Sequence, residues 1–223
     1  RAKLAEPSSW SCAHGVGRWS RDCGCKISPD RDWHQRWRAP FRALLEQLRD
    51  DARDALSSLG SRLFAAPAKA RESYGQVIGR PERFDAWYED FKGEYPDSKI
   101  ARLWLECHRN MLAMFTSCAW FFDEITGIEP EQNLRHAGCV VGMVRQLTGV
   151  DFSEKLENAV LALPSNDDVR RLLPVVRESQ APKPTPSLTE EALGFGVRRA
   201  GVLQPVSSLP GRGPIGDLDS AMD

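Results

Sequence analysis

Apolar residues recur with the period of an α-helix from residue 40 to residue 178, and this feature limits the fold more than any other. The first stretch begins at Pro40 and stops at Gly60, residue types that open and end helices. Further stretches span residues 68–78, 82–92, 100–121, 129–149, 152–163 and 168–177. Because no run of alternating apolar and polar residues precedes residue 180, we predict an all-α bundle of six or seven helices over residues 40–178.

The predicted bundle needs a core, and the helical stripes supply one. The stretch from Ile100 should be the central helix, and Asp97 offers a side-chain oxygen to cap its start. The residues expected at the centre of the core share an apolar side chain on the inner face of a stripe: Leu45, Leu48, Trp104, Met111, Phe115 and Val141.

Charge and hydropathy exclude several classes of protein. The 223 residues contain 30 Lys and Arg against 31 Asp and Glu, a net charge of -1, so no overall positive field favours nucleic acid. No apolar run approaches the ~20 residues of a membrane span. The six cysteines do not form the pattern of a secreted disulfide framework, so we expect a cytoplasmic chain with reduced thiols. Since the sequence begins with Arg, we expect it to be a segment of a longer protein.

Residues 1–39 differ from the bundle and form an irregular loop rich in Trp, Cys and His. Four of these residues could bind zinc within a span of 14 positions: Cys12, His14, Cys23 and Cys25. Their Cys-x-His and Cys-x-Cys spacings differ from the usual two-residue gap of a zinc knuckle, so we expect no metal and no cofactor. A zinc-stabilised structural module remains the alternative.

The end of the chain is predicted to be separate from the bundle. Residues 179–197 include prolines at every second position, which favours an extended linker. Residues 198–223 contain one short predicted strand and a Gly-rich turn, and a lone strand needs neighbours to be stable.

Two segments resemble known glucan-active families. The sequence SWSCAHGVGRW at residues 9–19, followed by DCGC at 22–25 and WRAP at 37–40, resembles the start of a helical domain of uncharacterised role. That domain lies C-terminal to the catalytic barrel in a branch of family 57 glycoside hydrolases. The sequence MFTSCAWFFDEITGIE at residues 114–129 resembles its second signature, and the resemblance covers about residues 7–178.

The tail carries a separate resemblance. The sequences AGVLQPVSSLPG at residues 200–211 and GPIGDL at 213–218 are similar to the N-terminus of 4-α-glucanotransferases, the amylomaltases of glycoside hydrolase family 77. There, this segment forms the first strand of a (β/α)8 barrel, so residues 198–223 are expected to be a truncated barrel start. Together the resemblances imply a fused protein of α-1,4-glucan metabolism.

The resemblance implies an accessory role and no catalysis by this segment. Both families carry their catalytic carboxylates in barrel segments outside the chain. Asp123 and Glu124 are adjacent in sequence, so their side chains do not converge on one bond, and we expect them to cap or hydrogen-bond the backbone.

Residues of the two signatures are candidates for glucan binding, because aromatic rings suit the faces of sugars. Both signatures are too rich in Trp and Cys to lie in solvent, so we expect the loop of residues 9–25 to fold back near Trp120. The resemblance implies that the domain leans on an absent N-terminal barrel. The candidate substrate-binding residues are Trp10, His14, Arg18, Trp19, Trp120 and Asp123. A helical protein-interaction module without glucan contact is the other alternative.

Overall fold

The computed structural model describes residue 9 and residues 11–181, and these form a bundle of α-helices. Contacts divide the chain into Arg1–Pro184 and Thr185–Asp223, and the described residues lie in the first unit. They contain seven helices of six residues or more and one single turn: α1 (Arg38–Leu63), α2 (Pro67–Ser73), α3 (Phe84–Glu89), α4 (Ser98–Ala113), α5 (Cys118–Phe121), α6 (Ile128–Thr148), α7 (Ser153–Leu161) and α8 (Leu173–Ser179).

The all-α prediction is confirmed for this part of the chain. Phe64 and Lys92 form one isolated β-bridge, and the described residues contain no strand. None of the described helices is long and apolar enough to cross a membrane. The predicted strand within residues 198–223 and all but the first three residues of the predicted linker lie outside the described residues.

Helix α1 is longer than its sequence pattern predicts, and Gly60 does not end it. The helix continues to Leu63, and the Trp104 side chain of α4 packs directly on Gly60 in its last turn. A Cβ atom at Gly60 would lie 2.5 Å from Cζ2 of Trp104. The glycine therefore allows a close approach between α1 and α4, and the prediction that it terminates the helix is wrong.

Helix α4 begins as predicted and ends early. The Asp97 side chain accepts hydrogen bonds from the backbone of Lys99 and Ile100, both at 3.0 Å. The helix stops at Ala113 rather than continuing to residue 121, and α5 follows as a separate turn. Between them, the Thr116 carbonyl accepts a hydrogen bond from the Asn133 amide of α6. In a continuous helix, the Thr116 carbonyl would instead accept a hydrogen bond from the backbone amide four residues later.

The core contains three fully buried tryptophans whose indole N–H groups all find backbone carbonyls. Trp37 donates to Asp123, Trp104 to Leu56 and Trp120 to Arg38. Each ring thus fills the interior without an unpaired donor. Of the predicted core residues, Phe115 is half-buried, and the others are buried: Leu45, Leu48, Trp104, Met111 and Val141.

Candidate functional site

The N-terminal loop (residues 11–36) folds back on the bundle beside α5, as the sequence predicts. Trp19 donates its indole N–H to the Ser117 carbonyl at 3.1 Å, and Arg18 donates to the Phe121 carbonyl at 2.6 Å. The Arg18 guanidinium also lies 4.9 Å from the centre of the Phe121 ring. The loop is therefore attached through Arg18 and Trp19, whereas Trp10 lies outside the described residues.

Asp123 forms a second attachment of the N-terminal loop to the bundle, at residues 27 and 28. It is 6% exposed, and its carboxylate accepts hydrogen bonds from the backbone of Ile27 at 3.0 Å and of Ser28 at 2.8 Å. Glu124 is equally buried and accepts hydrogen bonds from Ser165 and from Asn166. Both acids therefore fix backbone segments to one another, in agreement with the prediction that they are structural.

The structure places two candidate glucan-binding residues in the interior. Trp120 has no exposed surface, and Asp123 is directed at the backbone of the loop. Binding a sugar requires an exposure that these side chains lack. Arg18 is also buried, at 4% exposure, so Trp19 is the candidate that reaches an open groove.

We call this open concavity the Trp19 groove; its lining includes Trp19, Ser20, Arg42, Glu46, Phe115 and Ser117. Its volume is about 670 Å³, within the range of ~300–1,000 Å³ that small-molecule sites occupy. Arg42 forms an ion pair with Glu46 at 2.8 Å and lies 4.9 Å from the centre of the Phe115 ring. The groove thus combines two half-buried aromatic rings with hydroxyl and charged groups.

The second cluster of chemistry-bearing residues lies within the loop itself. We call it the Cys/His cluster; it contains Cys12, His14, Cys23 and Cys25, and their ligand atoms lie within 4.8 Å of one another. Cys12 Sγ lies 3.8 Å from both Cys23 Sγ and Cys25 Sγ. His14 Nδ1 lies 3.5 Å from Cys25 Sγ and 3.9 Å from Cys12 Sγ.

The short spacings do not keep the four donors apart, and two glycines turn the backbone sharply beside them. Gly15 and Gly24 have φ of 66° and 74°, in the left-handed region that glycine adopts without strain. Gly24 lies between Cys23 and Cys25, and Gly15 follows His14. The turns let short Cys-x-His and Cys-x-Cys segments direct both donors to one point.

The environment of the cluster favours a thiolate at Cys12. Burial raises the pKa of this thiol, but hydrogen bonds from the backbone amides of His14 and Arg18 oppose it, and the pKa falls to about 6. Burial raises the pKa of Cys23, as does the nearby negative charge of Cys12. The two thiols therefore do not ionise independently.

Sequence reasoning missed Arg38 and Arg42. Arg38 is fully buried in the first turn of α1 and donates to Cys23 Sγ at 3.6 Å and to the Phe122 carbonyl at 3.3 Å. Arg38 lies on the inner face of the apolar stripe of α1, and the sequence shows this. Charged side chains are rarely buried without a partner, so an inward-facing arginine indicates a negative or polar group nearby. Arg42 follows one turn later and lines the Trp19 groove.

Comparison with known families gives a match over most of the described bundle. Residues 33–171, which are 139 of the 223 residues, match a family described as a domain of unknown function (DUF3536). No curated protein and no solved structure matches this chain.

Proposed function

The chain belongs to the DUF3536 family, and on that premise we propose that it is an accessory helical domain of an α-glucan-active enzyme of the glycoside hydrolase family 57 type. In this proposal it presents the Trp19 groove to glucan and performs no turnover itself. The resemblance of residues 9–19 and 114–129 to the helical domain of family 57 proteins supports the substrate class. The fusion to a 4-α-glucanotransferase stays a prediction, since it depends on residues 198–223.

The observation that carries the proposal is that two aromatic residues, Trp19 and Phe115, line the same open groove. The indole N–H of Trp19 is occupied by Ser117, so the ring is held in place while part of its surface remains exposed. Exposed aromatic surface beside hydroxyl and charged groups suits the apolar faces and the hydroxyl rim of a sugar. Ser20 and the Arg42–Glu46 pair supply the polar side of the groove.

The carboxylates support a binding role rather than catalysis. Glycoside hydrolysis by the common mechanisms requires two carboxyl groups on either side of the scissile bond. Among the described residues that line the groove, Glu46 is the one acid, and it is paired with Arg42. Asp123 and Glu124 are occupied by backbone and side-chain donors, so they are not free to act on a substrate.

Titration of the full chain with maltoheptaose, followed by calorimetry and tryptophan fluorescence, tests the proposal. We expect weak binding, with Kd on the order of 1 mM, that is lost in Trp19→Ala. The matched control is Trp33→Ala, which removes another half-buried tryptophan of the same loop, stacked 4.2 Å from Arg31. Cellohexaose, the β-linked counterpart, should not bind.

The same samples should release no reducing sugar from maltoheptaose. Equal binding by wild type and Trp19→Ala, or equal binding of the α- and β-linked sugars, would contradict the proposal. Turnover that disappears in Glu46→Gln would contradict the accessory role.

A further inference from the structure

Four of the six distances among the donor atoms of the Cys/His cluster are close to those of a tetrahedral zinc site, and all six lie within 4.8 Å. Bond lengths of ~2.3 Å for Zn–S and ~2.0 Å for Zn–N in tetrahedral geometry give S···S edges of about 3.8 Å and S···N edges of about 3.5 Å. In the structure, Cys12 Sγ lies 3.8 Å from each of the other two sulfur atoms, and His14 Nδ1 lies 3.5 Å from Cys25 Sγ and 3.9 Å from Cys12 Sγ.

Protein contacts alone do not explain this arrangement. All three cysteines are free thiols, and thiols are weak hydrogen-bonding groups that do not need one another as partners. An ordinary packed cysteine has apolar neighbours, as Cys107 has in the core between α4 and α6. Three sulfur atoms and an imidazole nitrogen around one point indicate a shared ligand.

Hydrogen bonds around the cluster fix the loop that carries it. The Gly17 amide donates to the His14 carbonyl at 3.2 Å, the Gly24 amide donates to the Asp22 carboxylate at 3.3 Å, and Arg38 donates to Cys23 Sγ at 3.6 Å. Outer hydrogen bonds of this kind orient metal-binding side chains. The left-handed turns at Gly15 and Gly24 are part of the same loop geometry.

The charge of a zinc complex also explains the buried Arg38. Zn²⁺ with three thiolates and one neutral imidazole carries a net charge of about -1. The Arg38 guanidinium has no exposed surface and donates to Cys23 Sγ, so it can balance that charge across a direct contact. A buried cation requires a negative partner, and a metal thiolate supplies one.

We propose that Cys12, His14, Cys23 and Cys25 bind one Zn²⁺ ion as a structural site. Four protein ligands complete a tetrahedral shell and leave no open position for water or substrate, which distinguishes a structural ion from a catalytic one. Thiolate and imidazole ligands select zinc over the hard cations Mg²⁺ and Ca²⁺. The ion ties residues 12–14 to residues 23–25 and so closes the part of the loop that carries Arg18 and Trp19.

Zinc content of the full chain, purified with a tag that does not bind metals and in the presence of a non-thiol reductant, is the first test. Wild type should contain about one zinc per chain. The variants Cys23→Ser and Cys25→Ser should lose the ion, and Cys118→Ser is the matched control because Cys118 is an exposed cysteine outside the cluster. Arg38→Gln should retain the four ligands but weaken zinc affinity by roughly tenfold or more.

Measurements on wild type alone keep the proposal testable if the ligand variants do not fold. X-ray absorption at the zinc edge should fit three sulfur atoms and one nitrogen, and cobalt substitution should give a sulfur-to-metal charge-transfer band. A strong chelator should lower the thermal midpoint and increase proteolysis of the loop, and added zinc should reverse both effects. Wild type that remains metal-free after dialysis against zinc, or a bound metal with only oxygen and nitrogen ligands, would overturn the proposal.

Discussion

Three side chains attach the N-terminal loop to the bundle, each through specific hydrogen bonds. Asp123 accepts from the loop backbone, Arg18 donates to Phe121, and Trp19 donates to Ser117. A buried carboxylate is costly unless it is hydrogen-bonded, so loss of one partner leaves the other groups unpaired. The attachment of the loop therefore depends on these few residues.

Asp123→Asn tests this dependence directly. The variant keeps one oxygen but turns an N–H group towards the donors of Ile27 and Ser28. Hydrogen bonds to charged groups contribute ~1.5–3 kcal/mol, so we expect the free energy of unfolding to fall by about 2 kcal/mol. Urea denaturation measures it, and Asp30→Asn, an exposed aspartate of the same loop, should change stability by less than ~0.5 kcal/mol. Equal stability of the two variants would contradict the structural role of Asp123.

His108 makes stability depend on pH. Burial against Trp104, with the charges of Arg71 and Arg53 nearby, lowers the pKa of His108 to about 3. The unfolded chain binds a proton at this histidine below about pH 6.5, whereas the folded chain does not until about pH 3. The unfolded state therefore binds more protons in this window, and stability falls as pH decreases from about 6.5.

The variant His108→Leu removes this titration while keeping an apolar contact with Trp104. A single group contributes a slope of at most ~1.4 kcal/mol per pH unit, so the unfolding free energy of wild type should fall more steeply than that of the variant, by up to about 1 kcal/mol per unit between pH 6 and 4. Denaturation at several pH values gives both slopes. The carboxylates and the cluster residues titrate in both proteins, so their contributions cancel in the difference between the two slopes. Identical slopes would argue against a neutral, half-buried His108.

At the scale of elements, the packing of α4 on α1 depends on a glycine. The indole of Trp104 occupies the space beside Gly60 and donates its N–H to the Leu56 carbonyl one turn earlier. The missing side chain at position 60 leaves room for this large ring between the two helices. Gly60 therefore serves the packing of α1 on α4 and does not end α1.

Gly60→Ala should be destabilising although alanine favours helices. Its Cβ would lie 2.5 Å from Trp104 Cζ2, and overpacking of this kind costs ~1–3 kcal/mol, against ~1 kcal/mol gained in helix propensity. We expect a net loss of up to about 2 kcal/mol in the free energy of unfolding, measured by thermal or chemical denaturation. Gly75→Ala is the control, because a Cβ there meets nothing within 4 Å and should leave stability unchanged or slightly higher. A stabilised Gly60→Ala would show that the two helices do not pack this closely.

At the scale of the molecule, one continuous core joins the helices to Trp37, the residue that precedes α1. Trp37, Trp104 and Trp120 lie within it, as do inner-face residues of α1, α4 and α6. A domain whose total stability is ~5–15 kcal/mol depends on such large side chains for a sizeable share.

Trp104→Ala should remove much of the stability of the described bundle. Removal of a buried Trp costs ~3–5 kcal/mol through lost burial and the cavity that remains. Calorimetry or circular dichroism should show a much lower thermal midpoint, whereas Trp33→Ala on the loop should cost less than ~1 kcal/mol. Similar midpoints for the two variants would contradict the position of Trp104 in the core.

The sequence by itself determined the helices and much of the core. The apolar stripes, the Asp97 cap and the left-handed Gly149 at the end of α6 depend on residues within one or two helical turns, so they can be read locally. The Trp and Cys content of the two signatures also predicted that the loop packs beside α5.

Only the tertiary structure decided which residues meet across the chain. It placed Gly60 under Trp104, Asp123 against the loop backbone, and four loop ligands around one point. These outcomes depend on the close packing of distant segments and on backbone turns that residue spacing does not record. Spacing alone therefore opposed a metal site that the folded geometry favours.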